Sequence, residues 1–201
     1  MRVLFWIIVV GTLLFPVSRL SATQVIPVNL PHLVSAAGIV FSGRCLDRRV
    51  ELETSDRFPA GLVITAYTFF VDRCLKGNCQ GETYSFRQWG ATTEECVVLG
   101  RSCPIGFAPY EKEKEYVLFL TPTERLHSPI GLGQGVFEVI AQPAGGKTVR
   151  NAFFNDSLFS QIPDQPRMVK ALATGKVKPG DVKPDIPLDD FMKMVEGLKQ
   201  P

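Results

Sequence analysis

Histidine is scarce in this chain: only His32 and His127 occur among its 201 residues. That is too little for a histidine-built metal centre. No Cys-x-x-Cys pair occurs anywhere, so a cysteine-built zinc site lacks its usual spacing as well. The Gly-x-Ser-x-Gly elbow of serine hydrolases is missing. A surplus of positive charge is missing too. Lys plus Arg number 22 against 20 Asp plus Glu, and two of the basic residues, Arg2 and Arg19, lie in the first 22 positions. Without that stretch the formal charge is zero, which argues against a nucleic-acid binder held by phosphate neutralisation. The chain also lacks an apolar run of the roughly 20 residues that a spanning helix requires. Its longest leading run, Val3 to Val17, is 15 residues and is closed off by Pro16 and Arg19. No cofactor, metal or nucleic-acid partner is expected.

The amino terminus has its own logic. Met1-Arg2 supplies a positive start, the uncharged run follows, and the small residues Ser18, Ser21 and Ala22 come next. This order predicts a cleavable secretory signal over residues 1–22 and a secreted or periplasmic mature chain, with no membrane attachment after cleavage. The five cysteines, Cys45, Cys74, Cys79, Cys96 and Cys103, all fall in that mature part. Nearness in sequence makes Cys74 with Cys79 and Cys96 with Cys103 the candidate disulfides, leaving Cys45 as the expected buried free thiol. Each short loop closure is worth roughly 2–3 kcal/mol by chain entropy.

Periodicity describes the mature chain as mainly β. Leu30 to Ala37 reads as a short helix, with Leu30, Leu33, Val34 and Ala37 at helical spacing. Ile39 to Cys45 reads as a strand, with Ile39, Phe41 and Cys45 on one face and Gly43 as a bulge position. Val63 to Cys74 alternates, and Val63, Tyr67, Phe69 and Val71 form its apolar face. Lys76-Gly77-Asn78 marks a turn, and Thr83 to Trp89 is the return strand with Tyr84 and Phe86 inward. Gly90 to Pro109 reads as a long connection. Tyr116 to Leu120 is a doubly buried strand; Gly135 to Ile140 is another, paired with Lys147 to Asn151 across Gly145-Gly146. Pro163, Pro166, Pro179, Pro184 and Pro187 make residues 155–187 an extended tail, with a short helix near Met168 to Ala173. Leu188 to Lys199 is the best helix, with Leu188, Phe191, Met192, Val195 and Leu198 on one face and Asp189-Asp190 at its positive end. The divisions are therefore a signal over 1–22, a β domain over 23–154, the proline-rich segment 155–187 and a helix over 188–199.

The stretch Ala37-Gly38-Ile39-Val40-Phe41-Ser42-Gly43-Arg44, following an export signal and a short helix, resembles the opening of netrin-like modules. That family includes the tissue inhibitors of metalloproteinases and exported bacterial proteins. Phe69-Phe70-Val71-Asp72-Arg73-Cys74-Leu75-Lys76-Gly77, Tyr116 to Leu120 and Ile130 to Phe137 carry the resemblance on to about Asn151. It implies a five-stranded Greek-key barrel of the oligonucleotide/oligosaccharide-binding (OB) type, with a short helix before it and an amphipathic helix after it. The family's inhibitory mechanism needs a mature amino-terminal cysteine as zinc chelator. Here the first cysteine is Cys45, more than twenty residues past the expected start, so that mechanism is not carried over.

Other motifs give way to plain readings. Ala141-Gln142-Pro143-Ala144-Gly145-Gly146-Lys147-Thr148 approximates a phosphate loop, but the β-leaning Val149 to Phe154 follows instead of a helix, so it is read as a hairpin turn. Gly131-Leu132-Gly133-Gln134-Gly135 leads into a strand and signals close backbone approach rather than dinucleotide binding. Glu94-Glu95 and Asp189-Asp190 are sequence neighbours, unsuited to paired acid/base catalysis. Asn155-Asp156-Ser157 is a glycan acceptor sequence in a eukaryotic secretory pathway. The expected function is an exported, non-catalytic binding module, with Trp89, Arg87 and Gln134 as candidate ligand contacts and another extracytoplasmic protein as partner. The alternatives are a loop-mediated protease inhibitor and an enzyme joining Cys45 to His32 or His127.

Overall fold

The computed structural model describes residues 26–102, 109–123, 125–155, 157–159 and 185–199. The expected signal over 1–22, Cys103 and the short helix near Met168 to Ala173 lie outside them. Helix α1 (Leu30–Ala36) is capped by Asn29, whose side chain accepts from His32 N at 3.0 Å, and Pro31 suits its first turn. Three strands follow as a meander: β1 (Ile39–Ser55), β2 (Phe58–Lys76) and β3 (Thr83–Trp89). A six-residue helix, α2 (Thr93–Val98), interrupts the connection to β4 (Glu115–Leu120). A 3-10 turn (Leu132–Gly135) leads into β5 (Val136–Ala141), then come β6 (Lys147–Asn151), β7 (Ile186–Pro187) and helix α3 (Leu188–Leu198).

The strands form one antiparallel sheet in the order β3-β2-β1-β4-β5-β6-β7. The stretch β4-β1-β2-β3 is the spatial order of a Greek key, in which a fourth strand returns beside the first. The expected five-stranded closed barrel is corrected to a seven-stranded sheet that does not close. The reason lies after β5: the chain turns at Gly145-Gly146, both at positive φ, and adds β6 and then β7 outward instead of returning to β3. The Ala141 to Thr148 segment is thus a hairpin turn, with Gln142 Nε2 donating to Thr148 Oγ1 at 2.7 Å.

The first two strands run much further than the alternation suggests, 17 and 19 residues, and their register shifts at four places, one of them between Ser42 and Gly43. Bulges bend and twist a strand pair. Gly43 is required there, because a Cβ would stand 2.3 Å from Phe70 O.

Both faces of the sheet are buried, and β4 shows why its sequence is continuously apolar. Val117 and Phe119 point to a core shared with α1 and α3, while Tyr116, Leu118 and Leu120 point to a second core on the opposite face. In the first, Phe191, Met192 and Val195 of α3 meet Leu33, Val34 and Phe137. Fully burying each such side chain contributes about 1.5–3 kcal/mol. The second is aromatic: Phe41, Tyr67, Phe69, Phe86 and Tyr110 contact one another largely edge to face.

Cys74 and Cys79 form the expected disulfide across the Gly77 turn. The end of β6 is tied by two asparagines. Asn155, fully buried, accepts from Asn151 N at 3.0 Å and donates to Val149 O at 3.2 Å. Asn151 in turn accepts from Asn155 N at 2.9 Å and donates to Gln134 O at 3.1 Å.

Candidate functional site

The connection expected to be irregular carries a fixed platform. Thr92 Oγ1 accepts from Glu95 N at 3.2 Å while Thr92 N donates to Glu95 Oε2 at 3.0 Å, a reciprocal capping box that starts α2. Arg48 of β1 donates to both Glu95 carboxylate oxygens, at 2.8 Å to Oε1, and also bonds Tyr67. The Arg48 guanidinium holds the Glu95 carboxyl down from its ordinary 4.5 to about 2. Cys96 is buried and oxidised, and its expected partner Cys103 lies outside the described residues. Against this anchored background, Val97 and Val98 are 70 % and 85 % exposed. Val97 and Val98 are thus two adjacent apolar side chains held in solvent on an anchored turn of helix.

The sheet also carries a groove. Arg48 touches Tyr67, the Tyr67 ring lies 4.7 Å from the Tyr110 ring, and Tyr110 lines a cavity of about 430 Å³. Its floor is β5 and β6, through Val136, Glu138, Ile140 and Arg150; Gln88 of β3 stands on the other side. Past β4, the face that carries the aromatic core continues onto β5, where Val136 packs against that core and, with Glu138 and Ile140, lines the groove. Two wall residues are unusual. Gln88 and Tyr110 are 3 % and 1 % exposed, and Gln88 Oε1 and the Tyr110 hydroxyl have no hydrogen-bond partner among the described residues. A buried polar atom left without a partner costs about 1–3 kcal/mol. Burial also pushes the Tyr110 hydroxyl well above the ordinary tyrosine range. Of the charged residues that line it, Glu111 and Glu138 share Lys114, at 2.9 Å and 3.1 Å, and Arg150 pairs with Asp185 at 3.0 Å.

The three candidate ligand contacts have different surroundings, and Arg87 and Trp89 lie two positions apart on β3. Trp89 is half exposed at the end of β3. Arg87 is bound to Glu53, which also holds Arg125 and which these two cations keep below the usual carboxylate range. Gln134 is buried and engaged by backbone: its Oε1 accepts from Val28 N at 2.7 Å and its Nε2 donates to Ile26 O at 2.9 Å. It clasps the segment leading into α1.

Cys45 is fully buried, and burial pushes its thiol up to about 11. His127 bonds Tyr84 OH through Nε2 at 3.2 Å and Thr121 O through Nδ1 at 2.9 Å, so both ring nitrogens are engaged. His32 lies on the exposed side of α1, which packs on the other face of the sheet from Cys45. Neither histidine is bonded to the thiol, whose sulfur lies 3.7 Å from Asp47 O. Among the described residues no three metal-ligating side chains gather, and no helix is long and apolar enough to cross a membrane.

No model of a known protein family matches this chain, and no curated protein matches it either.

The sequence reading missed α2 and the groove. The Thr92-x-x-Glu95 capping signature was legible for the helix. The groove is assembled from positions as far apart as Gln88 and Phe154, and no local signal reports it.

Proposed function

We propose that the protein is an exported, non-catalytic binding module that engages another extracytoplasmic protein through α2 and the sheet face beside it. The strand order β4-β1-β2-β3 is a Greek key, a motif shared by many antiparallel β folds, and the netrin-like resemblance rests on the sequence motifs alone. The observation that carries the reading is the pair Val97 and Val98, exposed on a helix whose other side is fixed by Arg48–Glu95 and the buried Cys96. Exposed apolar side chains on a rigid support lose little conformational entropy on association. The buried, high-pKa Cys45 supports a role other than thiol catalysis.

The test compares the mature protein with a Val97→Asp, Val98→Asp variant in affinity capture from the extracytoplasmic fraction of its source. Substitutions at such exposed sites shift stability by about 0.5 kcal/mol or less. A defined protein retained by the parent and lost with the variant, at unchanged melting temperature, is the expected outcome. Equal retention by both removes α2 from the reading.

A further inference from the structure

Beyond Arg44, β1 runs past the end of β4 and becomes an edge strand. Cys45 makes the last backbone contacts on that side, its N donating to Lys114 O at 3.0 Å and its O accepting from Glu113 N at 2.8 Å. From Asp47 to Ser55 one edge of β1 pairs with β2, and no strand lies along the other among the described residues. An open edge of this length is a template for a further strand, and charged side chains on an edge ordinarily discourage one. Here the charges are ordered: Arg48 and Arg49 precede Val50, and Glu51 and Glu53 follow it. The edge is therefore complementary to its own reverse. We infer that two copies of this chain pair antiparallel along it, with Val50 opposite Val50 and Arg49 of each copy opposite Glu51 of the other. Such a two-fold contact keeps the aromatic cores of both copies on the same side of the joined sheet. Moving its centre to Arg49 or to Glu51 sets a charged residue directly against itself, and like charges opposite one another destabilise a strand pair. Both side chains are available, at 77 % exposure for Arg49 and 50 % for Glu51, whose own cation, Arg87, is 3.7 Å away. The same register opposes Asp47 and Glu53, but each is held by two cations of its own copy, Asp47 by Arg49 and Lys112, Glu53 by Arg87 and Arg125. It also brings the half-exposed Leu52 opposite Arg48, whose aliphatic stem covers apolar surface. Past Leu52 the hairpin is only two strands wide, a marginal arrangement by itself that pairing across the axis widens to four.

Analytical ultracentrifugation of the mature protein over a concentration series tests the inference. One strand pairing buries little area, so a weak dimer is expected, populated at micromolar concentrations and above. High salt should weaken it by screening the exposed ion pairs. Arg49→Glu and Glu51→Arg each set like charges opposite one another at both ends of the contact, and each alone should weaken the dimer about tenfold. An equimolar mixture of the two variants restores opposite charges at both places and should associate as the parent does. Mixing cannot repair a defect within one chain, so this recovery separates strand pairing from damage to the fold. Both substitutions are at exposed positions and should leave the melting temperature close to that of the parent. The Val97→Asp, Val98→Asp variant should still dimerise, which keeps this inference apart from protein capture through α2. A parent that stays monomeric throughout the series, single variants that associate like the parent, or a mixture that stays monomeric overturns the inference. Loss of the dimer in the Val97→Asp, Val98→Asp variant overturns it as well, by placing the contact on α2.

Discussion

Cys45 shows how much a single side chain's surroundings decide. The thiolate is the reactive form, and a thiol with a pKa near 11 is almost wholly protonated at neutral pH. Iodoacetamide at pH 8 should therefore leave Cys45 unmodified in the native protein over hours and alkylate it within minutes in denaturant. Mass spectrometry of the labelled peptide checks this, and rapid native labelling would revive the enzymatic alternative. The sequence showed that Cys45 lies on an apolar face and thus that it is buried. Arg87 and Gln134 were harder, because residue type alone does not reveal whether a polar side chain is free for a ligand. Glu53 lies 34 positions from Arg87, and Val28 lies 106 from Gln134. Those partners become neighbours only once the sheet has formed.

Among the elements, α2 depends most on one ion pair. The folded Glu95 carboxyl lies near 2 against an ordinary 4.5, so the unfolded chain takes up the proton first. Stability from this pair is complete above about pH 4.5 and is lost as pH falls toward 2. Glu95→Gln should cost about 1–2 kcal/mol at pH 7, a range held low by the partial exposure of both partners, and flatten the acid limb of the unfolding curve. Urea melts of parent and variant at pH 7 and pH 3 measure both effects; an identical acid limb would mean that Arg48 does not hold Glu95 in solution. The regular elements were legible where a period was sustained. Tyr84 and Phe86 face inward as their alternation indicates, and α1 and α3 fall where the 3.6-residue spacing sets them. The outer halves of β1 and β2 were not legible, because their side chains from Asp47 to Gly61 are largely solvated and carry no apolar face. Backbone pairing between the two strands holds them instead.

At the scale of the whole molecule, the sheet is covered differently on its two sides: aromatic side chains fill one, and helices from the two ends of the described chain seal the other. Removing residues 185–201 would strip Phe191, Met192 and Val195 from that seal and uncover Phe137 and Val149. Such a truncated protein is expected to bind a hydrophobic dye and to lose its cooperative thermal transition; a sharp transition with no dye binding would show α3 to be dispensable. The open sheet was not legible because closure turns on where the chain goes after β5. The glycine turn at 145–146 revealed the next hairpin but not the edge to which it adds. That hairpin ends in the asparagine clasp, which has a consequence for how the protein can be made. A sugar transferred to Asn155 during translocation would occupy the amide that must seat against Val149 and Asn151. In cells that glycosylate nascent chains, maturation and decoration at this position therefore compete, and a bacterial host avoids the conflict.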